Sequence, residues 1–330
     1  MLHMMNRLYF LILLLFVTVE AEAVDLPGIP EFINEMVAKH HFKREELVRV
    51  FKEAEYRKDV IDAMNAPATT KPWLEYRASF INAKRIDGGI QFWQKYAETL
   101  DRAEKQYGVP QEIVIAIIGV ETLYGRHAGN YRTLDALTTL AFDYPRRVDF
   151  FRSELEQYLL LVREQGMDML DMRASYAGAL GIPQFMPSSY RKNAVDFNND
   201  GKIDLLKEPE DAIGSVANYL RQYGWKPGEA VAIKASVANV SRPDDVGAAR
   251  SLQAWGTLGV TPQGDFGEGV YAYLIDFTLP QGKEFWFGFN NFAVITTYNN
   301  SSYYAMSVYQ LALELRKSNF AQGLIRRAPL

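Results

Sequence analysis

Over most of the chain, apolar and polar residues alternate with the period of a helix. Between Pro30 and about Arg102, apolar positions recur three and four apart among charged ones, as in residues 31–37 and 44–51. This spacing predicts helices with one buried face. It also predicts helices over 92–107, 134–142, 151–165, 211–223 and 305–317, with Gly88-Gly89 preceding the first and Gly224 capping the fourth. After Trp225 the pattern changes. Stretches 231–235, 266–277 and 284–295 are rich in β-formers, glycine and turns, which predicts a small β-rich insertion over 227–294. The chain contains no internal repeat.

One segment departs from the amphipathic pattern. Residues 113–120 read IVIAIIGV, directly after Val109-Pro110. Proline suits the first helical position, so the run predicts a buried helix. Glu121 follows at once. On that helix it shares a face with Ile118, Ile117 and Val114. A carboxylate there is desolvated and lies near the negative end of the helix dipole. Both effects favour the protonated form, the form a general acid needs. The competing reading is a glutamate at a fraying helix end, paired with Arg126. An unneeded buried carboxylate costs several kcal/mol, on the order of the desolvation penalty of a polar group, so the apolar run favours function.

Three further constellations carry possible chemistry. Asp196-Phe197-Asn198-Asn199-Asp200-Gly201-Lys202 has oxygen donors at loop positions 1, 3 and 5 and glycine at 6. That is the opening of an EF-hand calcium loop, with the main-chain carbonyl of Lys202 at position 7. Position 12 is Lys207 rather than glutamate, so closure by Asp211 requires a longer loop; a solvated Asn/Asp turn is the alternative. Residues 175–190 carry no charge, and their small residues let a ligand approach the backbone. Gln184 is the single amide in that stretch, which also suits a tight buried turn. Tyr298-Asn299-Asn300-Ser301-Ser302-Tyr303-Tyr304 places uncharged hydrogen-bonding groups beside rings, as in a saccharide cleft, and Ser301 or Ser302 would also cap the next helix.

Composition narrows the classes. A net charge of −4 gives no reason to expect nucleic acid as a partner. The 19 tyrosines and 5 tryptophans suit stacking on sugar rings, though a Tyr-rich core is an equal reading. With no cysteine there is no disulfide, thiolate metal site, cysteine nucleophile or lipidated cysteine. The four histidines lack H-E-x-x-H spacing, and neither G-x-S-x-G nor a Walker A loop occurs, so no organic cofactor is expected. The basic Met1–Arg7 segment, the apolar run 8–19 and Ala21-Glu22-Ala23 predict a signal peptide over 1–23 and export to the periplasm. The apolar run is short for a spanning helix; an uncleaved anchor is the alternative.

In this order, the four constellations resemble the membrane-bound lytic murein transglycosylase B family, glycoside hydrolase family 103. The matching residues are Gly119-Val120-Glu121-Thr122, Tyr144-Pro145-Arg146-Arg147, Gly178-Ala179, Gln184 through Tyr190, the calcium-like loop, residues 211–219, and Tyr298-Asn299 before Tyr303-Tyr304-Ala305-Met306. The resemblance implies a mainly α (α+β) fold. A lysozyme-like core at 101–226 would contain the EF-hand-like loop 196–211. A helical domain would comprise 24–100 completed by 295–330, with the β domain inserted. It implies non-hydrolytic cleavage of the β-1,4 bond between N-acetylmuramic acid and N-acetylglucosamine, leaving 1,6-anhydromuramoyl ends. Glu121 resembles the family's single acid/base. Ser175, Gln184, Tyr219, Tyr298 and Asn299 match cleft positions, and Tyr76, Arg146 and Arg147 match further binding positions. Asp196, Asn198, Asp200, Lys202 and Asp211 match a site for Ca2+, or Na+. Implied partners are peptidoglycan strands and cell-wall synthases, with the enzyme a monomer. The rival readings are a lysozyme-type hydrolase using water and a non-catalytic peptidoglycan-binding protein. Two departures stand out: Ile182-Pro183 replaces an expected Tyr-Gly pair, and the metal loop carries one extra residue.

Overall fold

The computed structural model describes residues 26–66, 71–238 and 247–321; the expected signal peptide lies outside the described residues. The described residues open with six helices: α1 (Ile29–His40), α2 (Arg44–Lys52), α3 (Lys58–Asn65), α4 (Trp73–Phe80), α5 (Ala83–Lys95) and α6 (Ala97–Tyr107). Helix α7 (Gln111–Thr122), strand β1 (Tyr131–Arg132), α8 (Thr133–Asp143), a 3-10 turn (Pro145–Arg147), α9 (Val148–Glu164), β2 (Arg173–Ala174), α10 (Pro187–Asn193) and α11 (Pro209–Gln222) follow. Next come β3 (Ala232–Val237), β4 (Ala249–Ser251), α12 (Leu252–Thr257), β5 (Val260–Pro262), β6 (Tyr271–Leu279) and β7 (Gly282–Gly288). Helices α13 (Asn290–Tyr298) and α14 (Ser302–Ala321) close it.

The periodic segments bury the faces their spacing implies. In α1 these are Ile29, Phe32, Ile33 and Met36, and His41 ends the helix in the left-handed region, its N–H donating to Val37 O. Helix α7 is apolar on every side and is therefore covered on every side. All of 113–120 is buried, and α5, α6, α11 and α14 pack around it. The C-terminal α14 thus returns across 180 residues of sequence to lie against α7, α5 and α4.

One sequence expectation fails locally. Gly88-Gly89 does not precede a helix but lies inside α5, and the break falls at Tyr96. Packing decides this. A Cβ on Gly89 would sit 2.5 Å from Tyr124 Oη and 2.4 Å from Leu315 Cδ2. Glycine costs a helix about 1 kcal/mol against alanine, and here it admits Tyr124 and α14 to close range.

The five-stranded antiparallel sheet runs β4-β6-β7-β3-β5. Its two faces bury different cores, as alternation along β6 requires. Ala272 and Leu274 join Trp255 and Phe287 in a small separate core, whereas Ile275 and Phe277 join the main one. The sheet leans on the helices through Phe277, whose ring lies 4.4 Å from Trp73 of α4.

Candidate active site

The end of α7 does not fray. Leu123 N donates to Gly119 O and Tyr124 N to Ile118 O, which closes the helix with a left-handed cap. Leu123 and Tyr124 both take positive φ, 51° and 63°. Two consecutive non-glycine residues in that region are strained and persist only when their surroundings hold them. The turn sends Tyr124 back under α7, where its Oη donates to Arg85 O at 2.7 Å. Thr122 Oγ1 donates across to Ile182 O at 2.8 Å. Glu121 is therefore fixed between a locked turn and a second loop.

That loop is the uncharged stretch. Gln184 N donates to Gly181 O, and Leu180 pairs with Phe185, forming a tight turn. Gly181 has φ 66°, and a Cβ there would lie 2.2 Å from Leu205 O, so only glycine fits. Gln184, at φ 53°, directs its Nε2 to Ala128 O at 3.1 Å and Gly181 O at 2.8 Å. Ser175 is built into the neighbouring turn, with its Oγ accepting from Ala179 N. The Ile182-Pro183 departure is held at both carbonyls: Ile182 O receives Thr122, and Pro183 O accepts from Tyr298 Oη at 2.6 Å.

The opposite wall is aromatic. Tyr298, at the end of α13, and Tyr304, in the first turn of α14, stack at 6.3 Å and 13°. Ser301 caps α14 through Oγ to Tyr304 N, as one reading of the sequence anticipated. Tyr304 Oη donates to Glu121 Oε1 at 2.6 Å. No local spacing marks this partner of Glu121, although it stands in the Tyr298–Tyr304 segment that the sequence marks as a saccharide-cleft lining. Tyr219 meets Tyr298 edge-on at 4.8 Å and donates to Thr297 O. Tyr76 lies 5.5 Å from Tyr303, and the nearby Glu121 carboxylate adds to burial in raising its phenol pKa.

These surroundings set the protonation of Glu121. Burial pushes its pKa up from 4.5 to about 7, and the Tyr304 hydrogen bond pulls it back. No Arg126 contact is involved. Its phenolic neighbours Tyr298 and Tyr304 are both driven well above 10, chiefly by burial and then by the Glu121 charge. They remain neutral donors throughout the working pH range. The site can therefore present a protonated carboxylic acid, ringed by neutral hydroxyls, to an uncharged substrate oxygen.

The other expected residues lie farther out. Asn299 is exposed at the end of α13 and turns the chain, its carbonyl accepting from Ser301 N. Arg146 and Arg147 are exposed on the 3-10 turn, with Arg147 lying 3.9 Å over the Phe150 ring. Asp143, next to this pair in sequence, accepts from Tyr56 Oη at 2.5 Å.

Loop 196–211 is organised by its own carboxylates. Asp196 accepts from Asp200 N and Gly201 N, Asn198 from Asp200 N, and Asp200 from Lys202 N. This inward turning of the side chains at positions 1, 3 and 5, with Gly201 at φ 89°, is the local geometry of a calcium loop. Among the described residues, no group of three or more acidic or histidine side chains converges as a ready cage. Asp211, the expected closing ligand, stands at the start of α11. It is buried, and its oxygens accept from Phe197 N, Asn198 N and Asp204 N.

Residues 26–313 match the transglycosylase SLT domain. The chain is 43% identical over 295 residues to membrane-bound lytic murein transglycosylase B of Escherichia coli (strain K12), spanning 86% of this chain and 81% of that protein. Its structure resembles soluble lytic transglycosylase SltB1 from Pseudomonas aeruginosa, with a TM-score of 0.83, 47% identity, and coverage of 90% of this chain and 100% of that one. The Escherichia coli lytic transglycosylase Slt35 in complex with calcium matches with a TM-score of 0.84 and 42% identity, over 90% of this chain and 95% of that one. SltB3 from Pseudomonas aeruginosa in complex with NAG-anhNAM-pentapeptide matches with a TM-score of 0.77 and 29% identity, over 87% and 78%. The mainly helical, lysozyme-like fold is the one expected from the sequence. With the family match spanning nearly the whole described chain, this protein belongs to the lytic transglycosylases of the SLT-domain family.

Proposed function

We propose that this lytic murein transglycosylase uses Glu121 alone, first as acid and then as base, on the β-1,4 bond between N-acetylmuramic acid and N-acetylglucosamine. Activity on peptidoglycan follows from the family. The single-carboxylate route rests on one observation. The raised pKa of Glu121 is caused by burial, offset by Tyr304, with no neighbouring carboxylate among its causes. Most hydrolytic glycosidases pair two carboxylates, about 5–9.5 Å apart. Here neutral Glu121 protonates the leaving glycosidic oxygen, and the C1–O bond breaks with its electron pair going to that oxygen. The substrate's 2-acetamido group stabilises the cation at C1. The Glu121 carboxylate then takes the C6 hydroxyl proton as that oxygen bonds to C1. Glu121 regains its proton and no water is consumed.

Ser175, Gln184, Tyr219, Tyr298 and Asn299 line the strand's path, with Tyr76, Arg146 and Arg147 farther along it. Mass spectrometry of the muropeptides tests the reading: products one water lighter than hydrolysed ones support it. Hydrated ends would favour the lysozyme-type reaction, and strand binding without cleavage would favour a scaffold.

Calcium in loop 196–211 is supported by the inward-turned donors and by Slt35, which was solved with calcium. Asp196, Asn198, Asp200 and the Lys202 carbonyl would hold it, with Asp211 bracing the loop and sodium as the competing ion. The 101–226 core, the helical unit of 24–100 with 295–330, and the sheet of 227–294 would act as one periplasmic monomer. Among the described residues, no helix is long and apolar enough to cross a membrane.

A further inference from the structure

The aromatic wall of the cleft continues past its expected residues. Tyr219 stacks on Tyr223 at 4.3 Å and 19°, and Tyr223 is 38% exposed. The next residue, Gly224, accepts at its carbonyl from Asn290 Nδ2 at 2.9 Å. Asn290 begins α13, the helix that ends at Tyr298 in the cleft. Before its last residue, the accessible positions of α13 are Asn290, Ala293, Thr296 and Thr297, an uncharged strip on one side of the helix that ends next to Tyr298. Nine residues span about 13 Å at 1.5 Å each.

At the far end of this strip lies a cavity of about 580 Å3, lined by Asn290, Ala293, Phe266, Phe289, Tyr271 and Tyr273 among others. The two tyrosines share the β6 face that carries Ile275 and Phe277, but they stand beyond the part of it that packs on the main core. The strand register leaves them uncovered. Tyr271 pairs with Ser251, and Tyr273 lies between Ala249 and Gly288. Small cross-strand neighbours cannot shield a ring, and Tyr271 is 66% exposed. Rings left bare over a concavity, with a few polar groups among them, are the lining of a ligand site. The cavity's charges, Lys226 and Glu229, lie 3.5 Å apart and offset each other. That balance suits a neutral ligand better than a peptide carboxylate.

We propose that this cavity is a distal saccharide subsite. It takes an N-acetylated sugar of the same glycan strand whose scissile bond lies at Glu121, with Tyr223 and the α13 strip as the track between. The inference rests on the glycan-strand reading of the cleft.

The test compares the full chain with Tyr271→Ala and Tyr273→Ala on peptide-free glycan strands of graded length. Losing one stacking ring should raise KM for long strands about threefold to tenfold. kcat, and KM for the shortest glycan cleaved, should not change. An unchanged KM on long strands, or an equal rise on short and long ones, overturns the subsite. Normal binding of peptide-free glycan, combined with lost binding of free stem peptide, overturns it in favour of a peptide site. Failure of the cleft reading would look different, because the unaltered chain would then cleave no glycan.

Discussion

Two acidic regions of this molecule use the same functional group in opposite ways. Glu121 stands alone at the end of an apolar helix and receives one hydrogen bond, from Tyr304. Loop 196–211 gathers Asp196, Asp200, Asp204 and Asp211, and each accepts main-chain N–H groups. In the first region, burial with a single donor makes the carboxyl hold its proton, so it has a proton to give. In the second, abundant amide donors turn carboxylates into struts of the backbone. Chemistry follows from how few partners an acid is given, and architecture from how many. The regions also touch: Ile182 N, in the cleft wall, donates to Leu205 O of the loop at 2.8 Å.

The contrast breaks most sharply at Glu121→Gln. A positioned general acid contributes about 10^2- to 10^4-fold, so kcat on purified murein should fall by at least that factor. Retained turnover would remove Glu121 from the mechanism. The same variant should be more stable at alkaline pH. The folded pKa of Glu121 is about 7, above its ordinary 4.5. Its favourable contribution is thus complete below 4.5 and lost as pH rises through 7. At pH 8 the buried carboxylate costs on the order of 3 kcal/mol, less whatever water in the cleft screens. Thermal melts should show the variant above the unaltered chain at pH 8, with the gap closing towards pH 4.5. Equal melting at pH 8 would mean that Glu121 is solvated.

Tyr304→Phe sharpens the comparison by removing the one donor Glu121 has. That hydrogen bond lowers the pKa of Glu121, so its loss raises it. The first chemical step needs the protonated acid, and kcat/KM should fall above about pH 7 in the unaltered enzyme. A hydrogen bond to a charged group contributes about 1.5–3 kcal/mol, equivalent to roughly one to two pH units. The alkaline limb of the variant should move up by about that much. A limb that stays in place would show that Tyr304 does not set the acid's proton affinity.

How far the sequence reveals these features depends on their range. The apolar run of α7 and the D-x-N-x-D-G loop are each written within one short segment, so periodicity and spacing suffice to find them. Tyr304 is 183 residues from Glu121, and no local rule links them; only the return of α14 onto α7 does. Gly88-Gly89 reads as a helix boundary because glycine is a poor helix former, yet contacts with Tyr124 and Leu315 outweigh that preference. The Arg146-Arg147 pair beside Asp143 reads as a salt bridge by adjacency. Instead Tyr56, from the segment between α2 and α3, reaches Asp143 first. The strip from Tyr223 to Tyr271 is hidden for the same reason: it joins α11, α13 and β6 only through contacts distant in sequence.

The loop side of the comparison carries the smallest expected effect. If calcium binds the folded loop only, a concentration a hundredfold above Kd adds about 2.7 kcal/mol. Across a chain of this size that amounts to several degrees in Tm, at roughly 2–4 °C per kcal/mol. Asp200→Ala removes one cation donor and the Asp200–Lys202 contact, and should abolish most of the calcium-dependent gain. Differential scanning of both forms, with calcium and with chelator, separates a cation site from a turn that its own amides satisfy. Identical melting of the unaltered chain in the two buffers would leave the loop as a strut without an ion. Because Gly181 and Ile182 rest on Leu205, a bound ion should also steady the wall that carries Gln184. Chelation should then raise KM for murein while leaving the Glu121 alkaline limb where it is.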